Sequence, residues 1–301
     1  MNRIKKRWLD AIGMPSCEIP QEPMTLLARY EYPDFDAEMY LQKNGPDTTQ
    51  RVMMVFPKDC KEPCPAVAVP HYIAEQMFGM DPATGEPLTR YQPRAMMRHL
   101  VQRGYVVASA DSYHVTYIRS DKEKSDFSRW RDAGTKLRAD HPHWSGVGKL
   151  VSDTKLMLDG LCADSRVDAS RIGIAGHSLG GKMAFYTGCL DDRVKAILAS
   201  DFGFGWDQTN WRDIWYWGNQ VEDLIAAGMD HTELLSCTNG VPFCLIAGSY
   251  DNWESWRMMR RASGYEPFDE RLKIINHATG HTPPAEALEE GYRFLDRWLK
   301  R

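Results

Sequence analysis

The chain has 301 residues, of which 43% are hydrophobic, and a formal net charge of -4. This length suits one large α/β domain, or one domain that carries an insertion, because no linker rich in Pro, Gly or Ser interrupts its middle. No long run of one charge sign occurs, so a nucleic-acid partner is not indicated.

The N-terminal residues carry several basic side chains, but no apolar stretch of about seven or more follows them. We therefore expect neither a secretory signal nor a membrane anchor. The protein is expected to be cytoplasmic and to have no membrane partner.

The seven cysteines are scattered, and only Cys60 and Cys64 lie close together. Neither a second pair nor a suitably placed histidine completes a zinc pattern, so reduced thiols and no metal are expected.

The first part of the chain contains an outer segment and then a hairpin. Residues 1–34 contain prolines and a weak helical pattern, which predicts an arm packed on the outside of the domain. Residues 35–57 alternate apolar and polar side chains around the turn Asn44-Gly45-Pro46. This pattern predicts an antiparallel hairpin at the edge of a sheet.

Short apolar strands alternate with helical patterns over the rest of the chain. The predicted strands are 65–70, 105–111, 171–175, 194–200, 241–247 and 272–275, and the predicted helices are 93–103, 150–161, 180–190 and 285–299. This spacing indicates an α/β fold with a doubly wound, mostly parallel sheet and an antiparallel N-terminal edge. The whole chain, 1–301, is expected to form a single domain.

Two long segments lack a simple periodicity. Residues 112–148 carry many charges and show no clear apolar period. The spacing of His141 and His143 suits a metal site, but no third ligand is apparent nearby. We therefore expect a solvated loop. Residues 202–240 are too long for a simple connection and are rich in aromatic side chains. We expect this segment to be a cap inserted above the sheet.

The stretch Arg171 to Met183 contains one serine, Ser178, in the pattern G-x-S-x-G between Gly176 and Gly180. A five-residue pattern in which only three residues are fixed occurs often by chance. Here, however, an apolar strand precedes the pattern and a helical pattern follows it. This context is typical of a nucleophile elbow, in which the serine lies on a sharp turn and neighbouring strand and helix leave room only for glycine.

A serine nucleophile needs an imidazole base and a carboxylate that orients the base, each on a loop after a strand. His281 is favoured over His277 as the base, because Gly280 gives its loop the freedom to reach the elbow. For the acid we favour Asp251, since Gly248 supplies a turn before it. Asp201, which also follows a strand, stays as an alternative, and Glu254 is a weaker one.

The oxyanion hole is expected to use the backbone amide of Leu179 and a second amide from the loop after the strand at 65–70, with Tyr72 or Ile73 as donor. His71 belongs to the same loop, and His177 lies inside the elbow, where its side chain is expected to pack beside the sheet. Ligands of open α/β sheets bind outside the carboxyl ends of the strands. We therefore expect the substrate to contact His71, Ile73, His177, Trp206, Trp211 and Trp215.

The chain resembles the α/β-hydrolases, and within them the branch of dienelactone hydrolases and acetyl xylan esterase-like enzymes. The resemblance is carried by Gly176-His-Ser-Leu-Gly-Gly181, by 168–174 before it and 190–196 after it, and by Ala278-Thr-Gly-His281. It implies a triad of Ser178, Asp251 and His281, ester hydrolysis through an acyl-enzyme and no cofactor.

Two departures from the family pattern stand out. Many relatives place His-Gly at the start of the oxyanion loop, whereas this chain has Pro70-His71-Tyr72, in which Tyr72 falls at the place of the tyrosine that offers its amide in acetyl xylan esterases. Dienelactone hydrolases proper use a cysteine nucleophile. The serine at position 178 therefore argues against a true dienelactone substrate.

The sequence thus favours a carboxylic ester hydrolase that acts on a small ester. The aromatic residues, with Asp207, Asn210 and Asn219 among them, would suit an acylated carbohydrate. A peptidase of the prolyl-oligopeptidase type is a second reading, although no propeller repeats precede the domain. A third possible function is that of a non-catalytic binding protein with a hydrolase fold. The sequence also leaves open whether the protein forms a homo-oligomer.

Overall fold

The computed structural model describes residues 3–60, 63–118 and 126–300. Within these residues, nine strands form one sheet. They are β1 (Thr25–Glu31), β2 (Phe35–Lys43), β3 (Thr49–Pro57), β4 (Cys64–Ala68), β5 (Val106–Ala110), β6 (Val167–His177), β7 (Val194–Ser200), β8 (Phe243–Ala247) and β9 (Leu272–Asn276). Their order across the sheet is β1-β2-β3-β5-β4-β6-β7-β8-β9. Strands β1, β2 and β3 pair antiparallel, and β3 pairs antiparallel with β5. The remaining neighbours, in the order β5-β4-β6-β7-β8-β9, all pair parallel.

Helices cover both faces of the sheet. They are α1 (Arg3–Ile12), α2 (Ala74–Phe78), α3 (Met96–Val101), α4 (Tyr113–Thr116), α5 (Asp126–Asp140), α6 (Gly146–Ala163), α7 (Leu179–Leu190), α8 (Gln220–Ala226), α9 (His231–Ser236), α10 (Trp253–Met259) and α11 (Ala285–Leu299), with short 3-10 turns at Pro15–Glu18 and Thr89–Arg94. Side chains of α1, α6 and α7 share one buried apolar cluster, and those of α2, α3 and α11 share a second. The predicted doubly wound α/β architecture, with its antiparallel N-terminal edge, is confirmed.

The segment 112–148, for which a loop was expected, contains the helices α4 and α5. In α5 only Ala133, Gly134 and Leu137 are buried, so the apolar stripe is too narrow to show as a clear helical period. His141 stacks on Trp144 at 3.7 Å between ring centroids. Among the described residues no group of three His, Cys, Asp or Glu side chains could hold a metal ion.

Residues 3–34, the described part of the expected outer arm, are integrated into the domain more closely than that expectation. Trp8 and Ile12 of α1 are fully buried, and the Trp8 indole N–H donates to Glu233 across 3.1 Å. Strand β1 pairs with β2 and forms one edge of the sheet. The segment therefore contributes to the core and to the sheet of the domain.

Cys60 and Cys64 are joined in a disulfide, which contradicts the expectation that both are reduced thiols. Their Cα atoms lie 6.4 Å apart, within the range that a disulfide spans.

Over the part of the chain that is described, no helix has both the length and the apolar character needed to cross a bilayer.

The parallel strands end at a common edge of the sheet, as their register requires. His177 at the end of β6 pairs with Ser200 of β7, which pairs with Ile246 of β8, and Ala247 pairs with Asn276 of β9. The residues that follow these strands are therefore brought together. This edge holds the candidate active site.

Candidate active site

Ser178 occupies a sharp turn between β6 and α7. Its backbone has φ 58° and ψ -115°, a conformation that an L-residue other than glycine rarely adopts. The turn is fixed by hydrogen bonds from the Ser178 amide to the Ser200 carbonyl, 2.8 Å, and from the Lys182 amide to the Ser178 carbonyl, 3.0 Å. The structure therefore holds the serine in a strained elbow of the kind that the sequence predicts.

Two glycines permit this turn. A Cβ at Gly176 would overlap the carbonyl of Gly180, and a Cβ at Gly180 would overlap the carbonyl of Pro70 in the loop after β4. Both obstacles are backbone atoms, which a side-chain rotation cannot move. The glycines thus bring the elbow, the helix α7 and the loop that follows β4 into close contact.

His281 lies on the loop after β9, and its partner is Asp201. The Nδ1 atom of His281 lies 2.6 Å from the Oδ2 atom of Asp201, which follows β7. The imidazole is 34% exposed and its ring packs against His177, 4.5 Å between ring centroids, and against Tyr250, 4.8 Å. The expected pairing of His281 with Asp251 is wrong, because a different carboxylate occupies that position.

The Asp201 carboxylate is surrounded by donors. It accepts hydrogen bonds from the backbone amides of Gly248, Ser249, Tyr250 and Asp251, at 2.8 to 3.0 Å. Burial works to raise the pKa of Asp201, but the hydrogen bonds from His281 and from these amides outweigh it and lower the pKa. The group that faces the imidazole is therefore an ionised carboxylate at neutral pH.

Asp251 instead holds the loop that follows β7. Its carboxylate accepts from the amides of Phe202, Gly203 and Phe204, at 2.7 to 2.9 Å, and from the hydroxyl of Ser255, 2.9 Å. Burial raises the pKa of this group. Each aspartate thus accepts amides from the loop that carries the other, and the two loops are fastened reciprocally.

The other candidates for acid and base make different contacts. The Glu254 carboxylate pairs with Arg257 at 2.9 Å. The Nδ1 atom of His277 lies 2.7 Å from the hydroxyl of Thr279, in its own loop. Among the described residues, neither side chain makes a hydrogen bond with His281 or Asp201.

The expected oxyanion donors lie beside the elbow. Leu179 is the first residue of α7, so its amide has no acceptor within the helix. The loop after β4 passes Gly180 and carries Tyr72, whose ring stacks on Trp130 at 4.4 Å and 10°. His71, Tyr72 and Ile73 all line the same cavity as Ser178.

Two buried histidines flank the elbow. The Nδ1 atom of His177 lies 3.1 Å from the Ser200 hydroxyl, so this ring packs beside the sheet as expected. Burial lowers the pKa of His177 well below its ordinary value and lowers the pKa of His71 to about 3. Both rings are therefore neutral at physiological pH and are unsuited to supply a proton.

A cavity of about 820 Å³ opens over this edge of the sheet. Besides Ser178 and His281, it is lined by His71, Tyr72, Ile73, Gln76, Arg90, Tyr91, Arg94, Val115, Asp126, Phe127, Arg129, Trp130, His177, Lys182, Thr209, Asn210, Asp213, Tyr216, Tyr250 and Thr282. The cap segment, 202–240, supplies four of these residues. The volume falls in the range of small-molecule sites.

The three indoles expected to contact the substrate lie elsewhere. Trp206, Trp211 and Trp215 are at most 7% exposed and do not belong to the lining of the cavity. The indole N–H groups of Trp206 and Trp211 donate to the carbonyls of Met229, 3.1 Å, and Gly203, 2.8 Å. Their rings belong to the apolar core of the domain, where Trp206 stacks on Trp8 at 6.4 Å and Trp211 contacts Tyr186 at 5.6 Å between ring centroids.

Lys182 is a site residue that the sequence analysis did not single out. Its buried ammonium donates to the Phe202 carbonyl, 2.8 Å, and to the Thr209 hydroxyl, 3.3 Å. It also lies 4.4 Å from the ring centroid of Trp211 and 5.1 Å from that of Tyr216. Burial lowers the pKa of this lysine to about 7. Its position four residues after the serine, on one face of a helix, is the signal that could have revealed it.

Comparison with known proteins assigns the chain to a family. Residues 51–209, more than half of the chain, match the model described as the dienelactone hydrolase family. The chain belongs to the dienelactone hydrolase family. A related protein of Bacillus subtilis strain 168, YtaP, named provisionally as a hydrolase, is 24% identical over 264 residues, which cover 81% of this chain and 82% of the relative.

Solved structures share the fold of this dienelactone hydrolase family member. A glucuronoyl esterase from Solibacter usitatus matches with a TM-score of 0.70 and 14% identity, over 97% of this chain and 91% of the other. A Bacteroides fragilis protein, named provisionally as an acetyl xylan esterase, matches with a TM-score of 0.67 and 16% identity, over 91% and 75% of the two chains. At these identities the likeness shows the α/β-hydrolase fold. Family membership places the chain among the hydrolases.

Proposed function

We propose that this protein is a serine carboxylic ester hydrolase that acts through an acyl-enzyme. The observation that carries the proposal is the 2.6 Å contact between His281 Nδ1 and Asp201 Oδ2, since His281 lines the same cavity as the strained Ser178. A hydroxyl, an imidazole and an ionised carboxylate at one sheet edge form the set that nucleophilic acyl transfer requires.

The serine, the histidine, the aspartate and the amide donors have separate roles in the proposed reaction. The Ser178 oxygen attacks the ester carbonyl while His281 Nε2 accepts the hydroxyl proton, and Asp201 stabilises the imidazolium that forms. The amides of Leu179 and Tyr72 donate to the oxyanion of the tetrahedral intermediate. His281 then gives its proton to the leaving alcohol, and a water molecule that it activates in the same way releases the carboxylic acid and restores the serine.

The domain organisation that supports this reaction is a single catalytic domain over 1–301, with 202–240 as its cap. Thr209, Asn210, Asp213 and Tyr216 of the cap line the cavity together with residues of the loop after β4. Hydroxyl, amide and carboxylate groups beside aromatic rings suit a small ester with several oxygen atoms. An acylated carbohydrate is such an ester, and the glucuronoyl and acetyl xylan esterases named above share the fold.

A panel of esters tests the proposal. We expect hydrolysis of p-nitrophenyl esters with short acyl chains and release of acetate from acetylated xylo-oligosaccharides. Ser178→Ala should lower kcat by at least a thousandfold. Ser165→Ala is the matched control, because this exposed serine precedes β6 at the opposite end of that strand. Wild-type protein that hydrolyses no ester, or equal activity of the Ser178→Ala variant, would overturn the proposal, and activity on long acyl chains alone would exclude the deacetylase substrate.

A further inference from the structure

The loop after β4 is fastened to the end of β5. The Ser112 amide donates to the Tyr72 carbonyl at 3.0 Å. The Ala74 amide donates to the Oδ1 atom of Asp111, which directly follows β5, also at 3.0 Å. Ala74 is the first residue of α2, so its amide has no acceptor within the helix. The loop that carries Tyr72, the expected oxyanion donor, is therefore held at Tyr72 and again two residues later.

A guanidinium fixes the direction of the Asp111 carboxylate. The Nε and Nη2 atoms of Arg51 donate to the two oxygens of Asp111, at 2.8 and 3.1 Å. Its Nη1 and Nη2 atoms also donate to the two oxygens of Glu75, the second residue of α2, at 2.5 and 3.1 Å. Paired bonds of this kind restrict orientation as well as distance. Arg51 thus joins the end of β5 to the beginning of α2.

This group of charges is separate from the surface that a substrate meets. Among the described residues that line the cavity over Ser178, neither Asp111 nor Arg51 is found, whereas Tyr72 belongs to the lining. Asp111 is also buried. A change at Asp111 can therefore reach a bound substrate only through the loop that it holds.

We propose that Asp111 is a positioning residue of the oxyanion hole, since its carboxylate, fixed by Arg51, determines where the loop holds the Tyr72 amide. The inference rests on the proposed ester hydrolysis and adds to it a residue that does not touch the substrate. Donors of an oxyanion hole are effective because they already point to the place that the oxyanion will occupy. A loop displaced by about 1 Å would weaken the bond to the oxyanion although the ester could still bind.

The chain contains a matched group of charges at the opposite edge of the sheet. The Asp191 carboxylate accepts from the Nε and Nη2 atoms of Arg193, at 2.9 and 2.6 Å, and from one backbone amide, that of Arg193, at 3.1 Å. Arg193 also contacts a second carboxylate, that of Asp159. The side chains of Asp191 and Asp111 are 6% and 7% exposed. Asp191 lies before the first residue of β7, so its removal should destabilise the fold to a similar degree without moving the loop after β4.

Steady-state kinetics with 4-nitrophenyl acetate compare the two aspartates. Asp111→Ala should lower kcat about 10- to 100-fold and keep KM within about threefold of the wild type, because a displaced donor weakens the transition state more than the bound ester. Asp191→Ala should leave kcat close to the wild-type value. Asp111→Asn should retain more activity than Asp111→Ala, because its side-chain oxygen can still accept the Ala74 amide.

A transition-state analogue measures the oxyanion donors directly. With 1,1,1-trifluoroacetone, the Ser178 oxygen bonds to the carbonyl carbon, its proton passes to His281, and the carbonyl oxygen becomes an oxyanion that requires the same donors as the tetrahedral intermediate. The inhibition constant of this ketone should rise in Asp111→Ala by the factor by which kcat/KM falls. In Asp191→Ala it should stay unchanged. A lower kcat in Asp111→Ala without weaker inhibition would contradict the positioning role.

A second pair of variants serves where an aspartate variant does not fold. Arg51→Met leaves the Asp111 carboxylate without its guanidinium, so kcat should fall about tenfold, whereas Arg193→Met should leave kcat close to the wild-type value. Equal losses of kcat within the pair that is measured, or no loss at Asp111 or Arg51, would overturn the positioning role and leave the hydrolase proposal standing. Wild-type protein that hydrolyses no ester would refute the hydrolase proposal, and the positioning role with it.

Discussion

The Oδ2 atom of Asp201 lies 2.6 Å from the Nδ1 atom of His281, although 80 residues separate them in the sequence. Asp201 adopts a positive φ of 44°, which is uncommon for a residue other than glycine. The strained backbone turns its carboxylate toward the amides of the loop after β8 and toward the imidazole. Strain at both Ser178 and Asp201 is consistent with a site that the surrounding structure holds in place.

Exchange of Asp201 for Asn should affect the reaction far more than exchange of Asp251. In Asp201→Asn the imidazole loses the carboxylate that fixes its tautomer and stabilises its charged form, and kcat should fall by a factor on the order of 10³ to 10⁴. The two oxygens of Asp251 accept from three amides and a hydroxyl, and Asp251→Asn replaces one of them by an amino group that faces two of these donors, so we expect a loss of unfolding free energy of about 2 kcal/mol or more. Steady-state kinetics and urea unfolding of both variants measure these effects.

The contrast between the two aspartates is the decisive part of this prediction. At an assay temperature well below the midpoint of its thermal unfolding, Asp251→Asn should keep kcat within about tenfold of the wild type. A larger loss of kcat in Asp251→Asn than in Asp201→Asn would show that Asp251 is the catalytic acid.

A methyl group at Gly180 should disturb the oxyanion loop. The added Cβ overlaps the carbonyl of Pro70, so Gly180→Ala must displace the backbone before Tyr72. We expect kcat to fall at least tenfold, as when an oxyanion donor is misplaced. Gly160→Ala is the matched control, since Gly160 lies within α6 and its Cβ would overlap only the flexible end of the Met24 side chain. Unchanged kcat in Gly180→Ala would exclude the loop after β4 from the site.

The buried lysine predicts a pH dependence of stability. The pKa of Lys182 is about 7 in the folded protein and 10.5 as the ordinary value, so between these values the unfolded chain binds more protons than the folded one. Stability relative to Lys182→Met should therefore rise with pH, by about 2 kcal/mol between pH 7 and pH 9. Unfolding in urea at both pH values measures the difference. A flat or falling difference would show that the ammonium stays fully charged in the folded protein.

The buried indoles of the cap should contribute to stability and not to substrate binding. Trp206→Phe loses the hydrogen bond to the Met229 carbonyl, so unfolding free energy should fall by about 1 to 2 kcal/mol while KM stays unchanged. Trp130→Phe alters a ring that lines the cavity and should raise KM. If Trp206→Phe raised KM instead, the original expectation that this indole contacts the substrate would be restored.

The sequence was sufficient to predict the elements that position the site. Strand β7 and helix α11 coincide with the predicted 194–200 and 285–299, because a short apolar run is typical of a buried strand and a long amphipathic period is typical of a helix. The elbow at Ser178 was recognised because its glycines are required by local backbone geometry. These features depend on residues that are close in sequence.

Features that depend on side-chain direction were missed. Asp201 and Asp251 both follow strands at the same sheet edge, and only the backbone conformation of Asp201 decides which carboxylate meets His281. Similarly, a cluster of indoles after a strand suits a substrate platform and a buried core equally well.

Covalent labelling of the nucleophile tests the central claim most directly. The native protein would be treated with a fluorophosphonate, and intact mass and peptide mapping would locate the adduct. We predict one adduct, on the hydroxyl of Ser178, that is absent in Ser178→Ala and much slower to form in Asp201→Asn. An unlabelled native protein, or an adduct that persists in Ser178→Ala, would contradict the account.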